Sequence, residues 1–171
     1  MSNWFDTVVC GGCGKDAVPY YGNELSKVIV IGAYPGQSEL DEGIPMVGSM
    51  GSVLKSELHY LGVHLDNLRY GNLWQHLMND NEKCFEYSVQ KTIEELEDKE
   101  LTLLLGKEPV EFFLNRKVTD VCGLFMKSGF FSGLMMACVN PAIVFQHDGV
   151  VGEMRLALKK FVRRCEEMKL I

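Results

Sequence analysis

Residues 27–32, KVIVIG, place four β-branched apolar side chains in a row and end on glycine. A run of that length without polar alternation reads as a strand buried on both faces. Such a strand needs helices above and below it, which confines the chain to a layered α/β architecture.

The rest of the chain supplies the partners. In residues 49–62 (SMGSVLKSELHYLG), Met50, Val53, Leu54, Leu58 and Leu61 recur at helical spacing, and Gly62 suits a C-terminal stop. Residues 68–74 give a second strand and residues 86–99 a charged helix. LTLLL at 101–105 is a third strand, followed by Gly106 and a helix over 108–114. Residues 134–139 form a fourth strand, and residues 149–168 close the chain with an amphipathic helix. The alternation predicts a three-layer α/β/α sandwich around a central, mostly parallel four-stranded sheet, in one domain spanning residues 1–171. Ligands of such sheets bind beyond the carboxyl ends of the strands. The informative positions are therefore 32–36, 74–76, 106 and 140–142.

Composition narrows the partners. Hydrophobic residues at 47% and charged residues at 23% argue against a disordered chain. No apolar run reaches the roughly eighteen residues a membrane span requires, so no membrane partner is expected. The opening MSNWFDTVVCGG lacks a basic stretch followed by an apolar one, and the expected location is cytoplasmic. A net charge of −6 counts against strong nonspecific binding to duplex DNA, while leaving room for a local positive face. Arg155, Lys159 and Arg163 recur every fourth residue, with Lys160 and Arg164 beside them. That stripe is either a phosphate contact or a solvated helix face.

Six cysteines are present. A reducing compartment argues against a disulfide framework. Cys122, Cys138 and Cys165 read as buried, inert thiols. Cys10-Gly-Gly-Cys13 is different, because C-x-x-C spacing places two thiolates on one metal centre. After the first strand, GAYPGQSELDEGIPMVGSMGSVL combines a glycine-rich turn, which lets backbone approach a ligand, with Pro35, which stiffens it. Neither G-x-G-x-x-G nor a Walker lysine is present.

Taken together, Gly32, Pro35, Gly36, Gly43, Pro45, Val47, Gly48, Gly51 and Leu54, then YGNLW at 70–74, LLLGKEPVEFFL at 103–114 and VNPA at 139–142, resemble the uracil-DNA glycosylase superfamily. The nearest resemblance is to its iron–sulfur family four. The rival reading is an unrelated flavodoxin-like or Rossmann-like domain.

The resemblance implies a protein that flips uracil or a related modified pyrimidine out of DNA and excises it, working as a monomer on single-stranded or base-flipped DNA. It assigns Asn72 to reading the base, because an amide offers both donor and acceptor to an imide edge. Asn140, where family four has histidine, would donate to the leaving base; Pro141 fixes the strand end. Gly32, Ala33, Pro35 and Gly36 would shape the base site, with Met46 in place of the stacking phenylalanine. The family's acidic residue falls on Ala33, and Tyr34 occupies the position where other branches hold aspartate or asparagine. Neither is an effective base for water, so the Ala33–Tyr34 turn is expected only to shape the water site. Glu39, Asp41 and Glu42 read as solvated loop charges. Val144 or Phe145 would be the wedge that fills the space of the flipped base, Gln146 replaces an arginine, and His147 is a candidate backbone contact.

For the metal, the resemblance brings His76 and Cys84 to Cys10 and Cys13, in an arm over about residues 8–22. Family likeness favours a [4Fe–4S] cluster, in which histidine can replace one cysteine. Three thiolates and one imidazole favour structural zinc. The alternative to an enzyme is a fold that has lost catalysis and binds nucleic acid, a nucleotide or a protein.

Overall fold

The computed structural model describes residues 8–129 and 131–171. Four parallel strands form its centre: β2 (Val28–Gly32), β3 (Arg69–Asn72), β4 (Leu101–Leu105) and β6 (Leu134–Cys138). These are the four expected strands. Two short antiparallel strands extend the sheet at its edges: β1 (Tyr21–Gly22) beside β3 and β5 (Phe125–Lys127) beside β6. The sheet is thus six-stranded, in the order β1-β3-β2-β4-β6-β5. Two or three residues are too few to establish a period of two, so the edge strands left no readable pattern in the sequence.

The uninterrupted apolar strands serve two cores. Val28, Val30, Leu101, Leu103, Leu105, Met136 and Cys138 face one side. There they meet Leu54 and Leu58 of α2 (Ser49–Tyr60) and Met154, Leu158 and Phe161 of α6 (Asp148–Glu167). Ile29, Ile31, Leu104, Met135 and Ala137 face the other. Their partners are Cys84 and Leu96 of α3 (Glu82–Leu96) and Val110 and Phe113 of α4 (Lys107–Leu114). Each fully buried Leu, Ile, Phe or Met side chain contributes about 1.5–3 kcal/mol. The three-layer arrangement follows from this alternation of faces.

Local rules explain the boundaries. Helix α3 begins at Glu82, ahead of the expected residue 86, because the Asn81 side chain caps it by accepting from the Lys83 N–H at 3.0 Å. A bidentate pair fastens β3 to this helix: Arg69 Nε and Nη2 donate to Glu95 at 2.7 and 2.6 Å, and Glu95 holds the guanidinium above its ordinary pKa. Two short helices not expected from sequence, α1 (Gln37–Glu42) and α5 (Val118–Val121), sit in the connections. Among the described residues, no helix is long and apolar enough to cross a membrane.

Candidate active site and metal centre

Both candidate sites lie at the carboxyl edge of the parallel strands. Gly32 pairs with Asn72 in register, and the pairing continues past the strands: the Leu73 N–H donates to the Gly32 carbonyl and the Trp74 N–H to that of Ala33, each at 2.9 Å. The first loop and the segment after β3 therefore leave the sheet side by side.

Asn72 is 2% exposed, and its Oδ1 is buried with no hydrogen-bond partner. A Cβ on Gly32 would come within 2.5 Å of that oxygen, so only glycine lets the amide lie over β2. Asn140 stands after β6. Its Oδ1 accepts from the Ala142 N–H at 2.9 Å, which caps the 3₁₀ turn Pro141–Phe145. That bond fixes the amide orientation and leaves the NH₂ as the free donor, 3.7 Å from where a Cβ on Gly106 would sit. Gly106 ends β4 with φ of +89°, a conformation that favours glycine. Asn72 thus lies over Gly32, which ends β2, and Asn140 beside Gly106, which follows β4.

Met46 roofs the Gly32 side. It is 2% exposed, and its Cε and that of Met50 both lie 3.3 Å from the position of a Gly32 Cβ. The space beside Asn72 is filled by two flexible thioethers, which can repack around a ligand as backbone cannot. Met46 has φ of +63°, uncommon for a non-glycine residue. A Cβ on Gly51 would strike its carbonyl oxygen at 1.9 Å, so Gly51 is what allows α2 to pack over this strained residue. Ala33 and Pro35 are buried, Gly36 and Tyr34 exposed.

Glu39 corrects a sequence expectation. Far from a solvated charge, it is 5% exposed, and its two oxygens accept from the Gly36 N–H at 3.1 Å and the Gly48 N–H at 2.9 Å. It clasps both ends of the loop. Glu39 stands three residues after the N-cap Gly36 and supplies the carboxylate half of a capping box, and that spacing was the available signal. Asp41 and Glu42 are exposed, as expected. Gly106 and Met50, which complete the walls, were legible as a post-strand residue and a helical apolar position but not as site residues.

The 3₁₀ turn carries the wedge candidates outward. Val144 is half-buried, and Phe145 is 66% exposed. Both line an open groove between α2 and α6 with Ser49, Ser52 and Arg155. Gln146 and His147 are exposed, and His147 occupies the N-cap position of α6. The basic stripe is largely engaged: Arg155 makes a bidentate pair with Glu57, Arg163 pairs with Glu167, and Arg164 lies over the Phe125 ring.

At the same sheet edge, Cys10, Cys13, His76 and Cys84 converge, with all ligand atoms within 4.8 Å of one another. The Cys10 and Cys13 sulfurs lie 3.2 and 3.9 Å from His76 Nε2. His76 Nδ1–H donates to the Leu77 carbonyl at 2.8 Å, which turns the Nε2 lone pair toward the thiols. In the metal-free protein, burial pushes the Cys84 thiol up to about 11, while the Lys15 backbone N–H holds Cys13 below its ordinary value. A cation arriving here displaces those protons. The expected four ligands are the four found together, and the donor set suits a metal.

A family model of the uracil DNA glycosylase superfamily matches residues 19–165. The chain belongs to the uracil-DNA glycosylase superfamily. It is also 28% identical, over 162 residues, to the type-4 uracil-DNA glycosylase of Pyrobaculum aerophilum. That match takes in 86% of this chain and 82% of the relative. The Asn72 carbonyl is buried without a partner, and the Asn140 amide caps the turn after β6. The reading as an unrelated nucleotide-binding domain is set aside.

One thiol departs from expectation. Cys138 and Cys165 are buried; the hydrogen bond to Cys122, with burial, raises Cys138, and burial raises Cys165. Cys122 is half-exposed, lines a surface depression with Lys160, and is drawn down to about 7 by a hydrogen bond from Cys138.

Proposed function

We propose that this chain is a DNA glycosylase that excises uracil or a related modified pyrimidine from single-stranded or base-flipped DNA, acting as a monomer. The observation that carries the reading is the orphaned Oδ1 of Asn72. A buried carbonyl without a partner costs about 1–3 kcal/mol, and an imide N–H of a flipped base would supply the missing donor. The name of the Pyrobaculum relative supports uracil as the base.

In this reading Asn72 binds the polar edge of the base while Met46 covers its face. The bond from C1′ to N1 breaks, the pair of electrons stays with the base, and the Asn140 NH₂ donates to the base oxygen where negative charge grows. Water adds its hydroxyl to C1′, and its proton leaves toward solvent through the turn at Ala33 and Tyr34. Val144 or Phe145 enters the vacated stack, with Gln146 and His147 toward the backbone. Met46 and Met50 must shift to admit the base. The metal corner has a holding role: it ties the N-terminal arm to the segment that carries Asn72. Both the [4Fe–4S] cluster implied by the resemblance and the zinc implied by donor chemistry are compatible with that role.

A second reading rests on a specific observation. The buried carboxylate of the first loop, Glu39, is committed to two backbone amides, and Ala33 supplies none, so no carboxylate there is free to activate water. A base-binding protein without turnover fits that fact.

One assay separates them. Folded, metal-loaded protein is incubated with single-stranded oligonucleotides carrying uracil, and then other deaminated or oxidised bases. Excision of uracil is expected, falling about 10²–10³-fold in Asn140→Ala. No excision of any base, with activity appearing only in the Ala33→Glu, Asn140→His double variant, would establish the binding protein instead.

A further inference from the structure

The metal corner is too tight for the cofactor that family likeness implies. We infer that Cys10, Cys13, His76 and Cys84 hold a single tetrahedral ion of zinc type, where the resembling family holds an iron–sulfur cubane.

Spacing carries the inference. Ligands at about 2.0–2.3 Å from one tetrahedral ion stand about 3.5–3.8 Å from each other. Here the Cys10 and Cys13 sulfurs lie 3.2 and 3.9 Å from His76 Nε2, and no pair among the four ligand atoms exceeds 4.8 Å. In a cubane each protein ligand binds a different iron, with the eight-atom core between them. That core forces the ligands apart and needs a chamber of its own.

On the α3 side the backbone leaves no room for such a core. A Cβ on Gly12 would come within 2.5 Å of the Cys84 amide nitrogen and 2.6 Å of the Lys83 carbonyl carbon. One on Gly11 would reach 2.8 Å from the Tyr87 ring. The C-G-G-C turn therefore lies directly on the first turns of α3, and its two glycines are what permit the contact. Three of the four ligands are buried, Cys10 at 1% exposure, Cys84 at 0% and His76 at 5%, while Cys13 stands at the open side.

The surrounding hydrogen bonds suit a small closed centre. The Gly12 N–H donates to Cys10 Sγ at 3.3 Å, as in a metal-binding knuckle turn. Leu77 fixes the imidazole tautomer. Three thiolates and one imidazole form a common closed zinc set. Among the described residues this is the one group of three or more such donors gathered this closely. The consequence is a corner that carries no electrons.

The test uses the full chain, purified without oxygen from cells supplied with iron, so that a cluster would survive. Metal analysis, acid-labile sulfide and a visible spectrum are recorded on the same sample. One zinc per chain is expected, with no sulfide and no visible absorption. Exchange with Co²⁺ should then give the ligand-field and thiolate charge-transfer bands of a tetrahedral site. Stoichiometric iron and sulfide with the broad absorption of a cluster would overturn the inference. So would folded protein containing neither metal. None of these readouts depends on base excision, so this result and that of the glycosylase assay are separable.

Discussion

Asn72 and His76 stand four residues apart on one segment, yet they serve corners built on opposite terms. At His76 every polar atom is engaged: one ring nitrogen donates to Leu77 and the other faces the thiols. At Asn72 the carbonyl oxygen is sealed in the protein with nothing to bind. Nearly all buried polar groups are satisfied in folded proteins, so an exception calls for an explanation. On the proposed reading, the contrast separates a corner that holds the fold together from one kept incomplete for a ligand.

The same contrast runs through the glycines. Gly11 and Gly12 let two pieces of backbone touch and leave no space between them. Gly32 does the reverse, removing a side chain from a strand end so that the Asn72 amide can lie over the sheet, while Gly106 supplies the positive φ of the turn beside Asn140. The first loop is nevertheless tightly built, since Glu39 clasps both its ends. The departures that the resemblance marks at the base site are alanine at 33, methionine at 46 and asparagine at 140.

The largest effect expected is on stability at the metal corner. Cys10→Ser removes a ligand from a closed site whose binding energy is part of folding energy. The thermal midpoint should fall by roughly 5–10 °C, equivalent to several kcal/mol for a domain of this size, with loss of bound metal. A midpoint unchanged in calorimetry would mean that the arm is only loosely attached and that the two corners do not differ as argued.

A smaller and opposite result is expected at the other corner. Asn72→Ala relieves an orphaned carbonyl, a gain of about 1–3 kcal/mol, and loses the packing of a short side chain, a cost of similar size. Stability should stay within about 1 kcal/mol of the parent, even though the residue is as buried as Cys10. Denaturant unfolding checks this. A loss as large as that in Cys10→Ser would mean that Asn72 is a structural residue.

The legibility of the chain follows the same division. Strands β2 and β4 were readable because both their faces are buried, so KVIVIG and LTLLL carry no polar positions. Helices α2 and α6 were readable from apolar spacing. Edge strands β1 and β5 were not, having too few residues to show a period. The metal ligands were half-legible: C-x-x-C declares itself, whereas His76 and Cys84 emerged only through family likeness, because their closeness to the arm is created by the sheet. The closed roof over Gly32 was not legible at all. Met46 reads as a loop residue, and its left-handed backbone depends on the absence of a side chain at Gly51, five residues away.

A third group of thiols sharpens the comparison with the least perturbation. Cys122 and Cys138 lie together and, among the described residues, belong to no group of three or more metal-ligating side chains. Cys138 is buried and held well above its ordinary value, so it keeps its proton and donates it to Cys122. Cys122, half-exposed beside Lys160, is drawn down to about 7. A lowered thiol pKa means that the nucleophilic thiolate persists to lower pH than usual. Alkylation by iodoacetamide should therefore reach half its maximal rate near pH 7 and fall as the pH drops below that value. Mass spectrometry of the metal-loaded protein should find the label on Cys122, with the four metal-site residues and the buried Cys165 unmodified. Cys138→Ala should move the midpoint upward, because the donor that stabilises the thiolate is gone. If the labelling midpoint stays in place in that variant, the lowered value belongs to Lys160 and the Val139 backbone, and the two thiols do not act as a pair.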